Sequence, residues 1–304
     1  MNLRPVLLAL ALSTTALAGK AVVDPKATES ATVVPLTVLN LRSSYTFESD
    51  FERGHDASGD AWFNGGAVAR RFPLGWAWPT QPDASWYLRL GAEYGRFDFD
   101  NAGDLPLPDT LQNVNAVLAL EYLVGGEIAL LLEAAPGFYF ENDLDSDVFT
   151  TPVKLAAAFQ LTPRFFVVAG ATYRGGFEKY PVLPVLGVVW RISDEWTLRL
   201  VAPTPRLIYR PADHLRLWVG GELSGGAYRV DDDRSRPADL RGAVLSYSEY
   251  KLGAGVTWGD PDRLALDVGA GYAFRRKFDY HRAEEGYETD EGAPYVRVSF
   301  SAGF

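Results

Sequence analysis

The chain has no cysteine, one methionine and three histidines. Without cysteine there is no disulfide scaffold, no thiol nucleophile and no thiolate metal site. Long apolar runs are missing too. No stretch reaches the roughly 20 apolar residues that a helix needs to cross a bilayer. Basic residues are outnumbered, 29 against 39 acidic, for a formal net charge of −10. That balance lacks the basic footprint that nucleic acid requires. It predicts an acidic outer surface.

Glycine and aromatics are abundant, with 29 Gly, 8 Trp, 15 Tyr and 17 Phe. At the N-terminus Arg4 precedes the apolar run Val6 to Leu12, and Ala16-Leu17-Ala18 forms a small-residue cleavage site. A charged start, a short apolar centre and an A-x-A end predict an export signal over 1–18. A proline-containing lead without periodicity follows over 19–35, and one domain occupies 36–304. Cleavage would leave 28 basic residues against 39 acidic.

Over that domain the residues alternate. Trp86, Leu88, Leu90, Ala92 and Tyr94 share one face, while Arg89, Gly91 and Glu93 share the other. The same two-residue period runs through 113–122, 128–134, 153–160 and 264–274, which is the signature of β-strands with one apolar and one polar face. Apolar stretches of about 9–11 residues match a tilted strand crossing hydrocarbon. Charges sit in mid-strand, with Gly and Ala beside them, which suits a wet lumen. Aromatics gather at strand ends, namely Trp190 and Trp196 at one turn, and Phe97, Phe99, Phe138, Tyr139 and Phe140 before long loops. They predict two interfacial girdles. A helical hairpin over 114–140 is excluded, because each arm would be too short to span and would carry Glu121, Glu127 and Glu133.

Tight turns at Gly125-Gly126, Thr162-Pro163, Ser193-Asp194 and Gly259 to Asp262 belong on one rim, so an even number of strands separates them. The interval 195–259 violates this parity unless it is broken at Ala202-Pro203-Thr204-Pro205, where two prolines do not suit a central strand. Splitting there adds a turn at Pro211 to Asp213 and gives fourteen strands, with twelve the alternative. The fold class is therefore an all-β, transmembrane, antiparallel up-and-down barrel.

The closing YVRVSFSAGF (295–304) resembles the last strand of bacterial outer-membrane β-barrel proteins. The stretch 181–209 is similar to an uncharacterised outer-membrane barrel family. The resemblance implies an assembly signal at Val296, Val298, Phe300 and Phe304, read by the barrel-assembly machinery, with Ala302 departing from the usual residue. It also implies the outer membrane as location, with its lipid and lipopolysaccharide as partners.

Alternation assigns Arg89, Glu93, Glu121, Glu133, Lys154, Arg174, Arg191, Arg199, Glu222, Lys251, Asp267, Arg275 and Arg297 to the lumen. They support two readings. One is a narrow passive, porin-like pore for small polar solutes or ions, its charges tuning passage. The other is a salt-bridged, non-conducting structural or surface-interaction barrel with acidic extracellular loops. No catalytic, metal or cofactor site is expected. Asp143, Asp145 and Asp147 recur as in a calcium loop, but Val148 and Lys154 stand where that loop needs Gly and Glu. A hydrolase would draw on His214 or on His281, with Asp279 and Glu284 nearby.

Overall fold

The computed structural model describes residues 37–304 except 52–57, 75–84, 103–104, 125–126, 178–179, 261 and 282–284. The expected signal and lead, and His55, lie outside the described residues. Alternating sequence forms alternating strands here, β1 (Thr37–Asp50), β2 (Ser58–Leu74), β3 (Ser85–Ala102) and β4 (Thr110–Val124). Next come β5 (Ile128–Ala134, continued by Gly137–Phe140) and β6 (Phe149–Thr150, continued by Val153–Thr162). Then follow β7 (Phe165–Tyr173), β8 (Val182–Arg191), β9 (Trp196–Val201) and β10 (Arg206–Ala212). The wall ends with β11 (Leu215–Arg229), β12 (Val244–Asp260), β13 (Leu264–Tyr280) and β14 (Glu285–Glu288, continued by Ala293–Gly303). The strand number is fourteen.

Sequence neighbours pair antiparallel, and β14 returns to β1 in the register Leu41↔Phe300 and Tyr45↔Val296. Because β14 also pairs with β13, the last strand has no free edge. The barrel is closed. The breaks in β5 and β6 at Pro136 and Pro152 keep their ladder bonds through the proline carbonyls, which accept from Ala116 (2.9 Å) and Ala135 (2.9 Å).

The wall is inside-out relative to a globular core. Leu155 is 59% exposed while its neighbour Lys154 is 6% exposed. Leu90, Leu118, Leu132, Val219, Leu252 and Val298 all face outward, whereas Glu93, Glu133, Glu222 and Asp267 are buried. On the exterior near the tight turns, Trp86 stacks on Tyr122 and Trp196 on Tyr209.

Two of the expectations fail here. Phe97 and Phe99 share parity with Glu93 and so point inward, and Tyr139 and Phe140 are buried as well. Of that aromatic set only Phe138 faces out, against Phe149. The inward rings join Phe63, Tyr228, Tyr247, Phe278 and Tyr280 in an apolar cluster at the loop end of the barrel.

The second failure is Arg275, which is exposed, with Arg276 buried in its place. Tyr250 pairs with Arg275 but Lys251 pairs with Ala273, so Phe274 is an extra residue in a β-bulge. One extra residue exchanges the faces of everything beyond it.

The wall is uneven. β9 and β10 have 6 and 7 residues, beside 15 in β11. Gly225 of β11 takes φ +125, and beyond it the top of the strand meets β5, where Glu141 N–H donates to the Arg229 carbonyl at 3.1 Å. This is a parallel bridge between strands that are not neighbours in the barrel.

Candidate functional site in the barrel interior

Inside the barrel the side chains fall into a charged half and an apolar half. The charged half is built on β10 to β14 and β1. Asp267, fully buried, accepts from Arg297, from Thr257 Oγ1 and from Trp218 Nε1 (3.0 Å), with Arg206 Nη1 at 3.9 Å. Arg297 also donates to Glu222 at 2.9 Å, and Glu222 pairs with Arg42 of β1. Beside them Lys251 meets Glu249 at 2.8 Å, and Glu249 accepts from Thr46 Oγ1 at 2.7 Å. The chain of pairs crosses from β11 to β1 and ties non-adjacent strands together.

Trp218 is the centre of this packing. The guanidinium groups of Arg206 and Arg297 stand 4.0 and 4.7 Å from its ring centroid. Below it are Gly255 and Gly269, where an added Cβ would stand 2.4 and 2.6 Å from the indole. The glycines that suggested room for water are instead the seat of an aromatic ring. Gly253 seats Tyr295 in the same way, with its hydroxyl 2.3 Å from an added Cβ.

A second ionic group occupies β2 to β6. Arg71 pairs with Glu121 at 2.5 Å, and Arg89 links Glu121 (3.4 Å) to the fully buried Glu133 (2.5 Å). Lys154 stands directly across from Glu133 in the ladder. Higher up, Asn115 Nδ2 reaches Glu93 at 3.3 Å and takes a bond from Asn113 at 2.7 Å. The apolar half lies beside this group, formed by Ala129, Leu131, Ala156, Ala158, Phe166, Val168, Val189 and Val201.

The loop end carries a separate group of contacts. Arg236 of the 230–243 connection makes a bidentate pair with the buried Glu141, whose Oε2 also accepts from Asp231 N at 2.9 Å. Tyr139 and Tyr228 pack across the interior at a centroid distance of 6.2 Å. Donors from Ser235 hold the exposed Asp233 carboxyl below the ordinary carboxylate range, so this connection stays acidic.

Of the thirteen charges assigned to the lumen, ten lie in or beside these groups: Arg89, Glu93, Glu121, Glu133, Lys154, Arg199, Glu222, Lys251, Asp267 and Arg297. Arg199 donates to Thr204 at the low β9–β10 turn (3.2 Å). Arg174 sits at the rim, over the Phe177 ring at 3.7 Å, and donates to the Tyr180 carbonyl at 2.9 Å. Arg191 is half-buried at the tight-turn end. Arg275 lies outside.

Sequence reasoning passed over Trp218, Arg42, Arg71, Arg206, Glu249 and Arg276. Parity was a usable signal for most of them, since Arg216, Trp218 and Glu222 alternate with Leu217, Val219 and Leu223.

For the hydrolase reading, Ser246 Oγ lies 2.5 Å from His281 Nε2, while Asp279 is engaged by Lys277 at 3.0 Å. His214 is at the opposite end of the barrel, its carbonyl accepting from Gly259. In the acidic loop, the Asp143 N–H donates to Asp231 at 3.1 Å and Asp147 faces Arg229 at 3.7 Å. In the last strand Val296, Val298 and Phe304 face outward, and Phe300 is half-buried.

A family profile described as a domain of unknown function (DUF6268) matches residues 42–302. No curated protein matches the chain. Among solved structures the chain is similar to a deltaS2 mutant of the TodX monoaromatic hydrocarbon channel. That match has 10% identity over 91% of this chain and 92% of that one, with a TM-score of 0.47. It is also similar to the translocator domain of the autotransporter NalP from Neisseria meningitidis, at 12% identity over 90% of each chain and a TM-score of 0.39. LpxR from Salmonella typhimurium matches at 9% identity over 87% of this chain and all of that one (100%), with a TM-score of 0.36.

Proposed function

This chain belongs to the DUF6268 family, and we propose that it is a bacterial outer-membrane barrel closed along its axis, a non-conducting wall protein that presents acidic loops outward. The observation that carries this reading is the buried network from Arg42 through Glu222 and Arg297 to Asp267, which bridges strands across the interior. An open diffusion pore keeps its charges wet so that ions can exchange water for side chains. Here the corresponding carboxylates are bonded to guanidinium groups and shielded from solvent. The Glu141–Arg236 pair and the aromatic cluster add a second closure at the loop end.

The apolar exterior supports the membrane placement. Exposed Leu, Val and aromatic side chains on every side of a closed barrel would face hydrocarbon, and the paired ladders satisfy most of the backbone there. The partners on this reading are outer-membrane lipid and lipopolysaccharide, which the acidic loops would meet at the surface. Two measurements test the placement and the closure. The folded protein should run faster than its heated form on a gel, as closed barrels do. Liposomes carrying it should swell in small sugars no faster than empty ones. Swelling at a porin-like rate would favour the narrow polar pore instead.

The assembly machinery is a further proposed partner. The Phe304 ring is exposed, and its backbone exchanges two bonds with Thr37 at 2.9 and 3.0 Å. Losing the ring therefore removes little packing. Phe304→Asp is expected to lower the folded barrel in cells several-fold while leaving the urea midpoint of refolded protein nearly unchanged. Equal cellular levels would remove the signal role.

A further inference from the structure

The low β9–β10 hairpin leaves an opening in the side of the barrel. On β8, Arg191 N–H donates toward β7, to Arg164 (2.8 Å), and Ile192 N–H donates toward β9, to Trp196 (3.0 Å). Even-numbered N–H groups of β8 therefore point at β9. The β8–β9 ladder ends at Gly187↔Val201, and no described strand lies beside Val182 to Leu186 on that side.

Facing it, Gly221 and Leu223 of β11 donate to the Pro205 and Pro203 carbonyls, both at 2.9 Å. Above them no described strand pairs with this edge until Arg229 meets Phe140. The gap is bounded below by the Ala202–Pro205 turn. At its top Gly176 comes against Ala227, since an added Cβ on Gly176 would lie 3.3 Å from the Ala227 Cβ.

The side chains around this opening are apolar. Of the even positions of β8 beside the gap, Val182, Pro184 and Leu186, the central one has no N–H to aim into it. Leu183 and Val185 point inward yet are only half-buried, and Val185 packs against the apolar cluster around Ala156 and Val168. Outside, Leu186 is 70% exposed. Tyr173, the ladder partner of Val182, stands exposed at the upper end of the β8 edge, and Tyr250, the partner of Leu223, at the lower end of the β11 edge. Tyrosine favours the membrane–water interface, and below Tyr173 the outer face of the β8 edge carries the exposed Val182 and Leu186. It is continuous with the lipid-facing surface.

We propose that this opening is a docking site for one acyl chain of a membrane lipid, which enters between β8 and β11 and lies against Leu183, Val185 and Pro203. This rests on the membrane placement above. A hydrocarbon chain is the occupant that matches a gap in the apolar band, lined by aliphatic side chains and leading to an apolar interior cluster.

Because the chain has no cysteine, single thiols report cleanly. Val185→Cys and, as a second site, Leu183→Cys would be labelled with bimane in vesicles of phosphatidylcholine brominated in mid-chain. Leu186→Cys serves as the outward reference. Both inward labels should be quenched at least half as strongly as Leu186→Cys, and aqueous iodide should leave them unchanged. Quenching by iodide, or by neither agent, would overturn the docking site. A Leu186→Cys label untouched by brominated chains would overturn the membrane placement itself.

Discussion

Asp267→Ala should lower the stability of the folded barrel by about 3–5 kcal/mol, the cost of leaving a buried cation without its partner. Asp267 accepts from Arg297, Thr257 and Trp218 and faces Arg206 at 3.9 Å, so one truncation removes the carboxylate beside two buried guanidinium groups and leaves Arg297 with Glu222 alone. Urea unfolding in lipid vesicles, followed by tryptophan emission, measures the loss. A double variant separates this cause from simple loss of volume. Adding Arg297→Ala removes the cation that Asp267 held, so the pair should be less destabilising than the two single losses added, with a coupling of about 0.5–3 kcal/mol. Strict additivity would mean that the two groups are not interacting in the membrane-embedded protein.

Gly225→Val should have a comparable effect by a different route. Gly225 has φ +125, a conformation closed to β-branched residues, and an added Cβ would lie 2.1 Å from the Tyr247 carbonyl oxygen. This residue lies just below the top of β11, where Arg229 meets Glu141 and Tyr228 meets Tyr139. Backbone strain of this kind costs of order 1–3 kcal/mol. If the top of β11 shifts, the packing of Tyr228 on Tyr139 goes as well, which adds to that cost. The expected result is a lowered urea midpoint together with faster proteolytic nicking in the 230–243 connection. An unchanged midpoint would show that this backbone conformation contributes nothing to the closure.

Most of the wall was legible in the sequence, because a two-residue period needs only local composition. The short β9–β10 pair was also legible, although its strands are weak. Pro203 and Pro205 broke a run whose parity was otherwise wrong, and the structure places the turn there. Ten of the charges that parity assigned to the lumen lie in or beside the interior groups, since a residue two places along a strand keeps its face.

What stayed hidden depends on events that composition does not record. The bulge at Phe274 adds one residue and exchanges Arg275 for Arg276. Phe97 and Phe99 looked like girdle residues by type, yet their parity with Glu93 sends them inside. The seating of Trp218 on Gly255 and Gly269 depends on the register of three strands, so the same glycines read as empty space along any one of them. The β5–β11 bridge joins residues 89 apart in sequence, Phe140 and Arg229, and no periodicity marks such a contact.

The central claim is that side chains fill the interior from the tight turns to the loops. Single-channel recording of the refolded wild-type protein in a planar bilayer tests it most directly. The filled interior predicts a flat trace at ordinary holding potentials, with the folded state of the same sample verified by its gel mobility. Regular, voltage-independent conductance steps from that folded protein would contradict the account and return the barrel to the class of open pores.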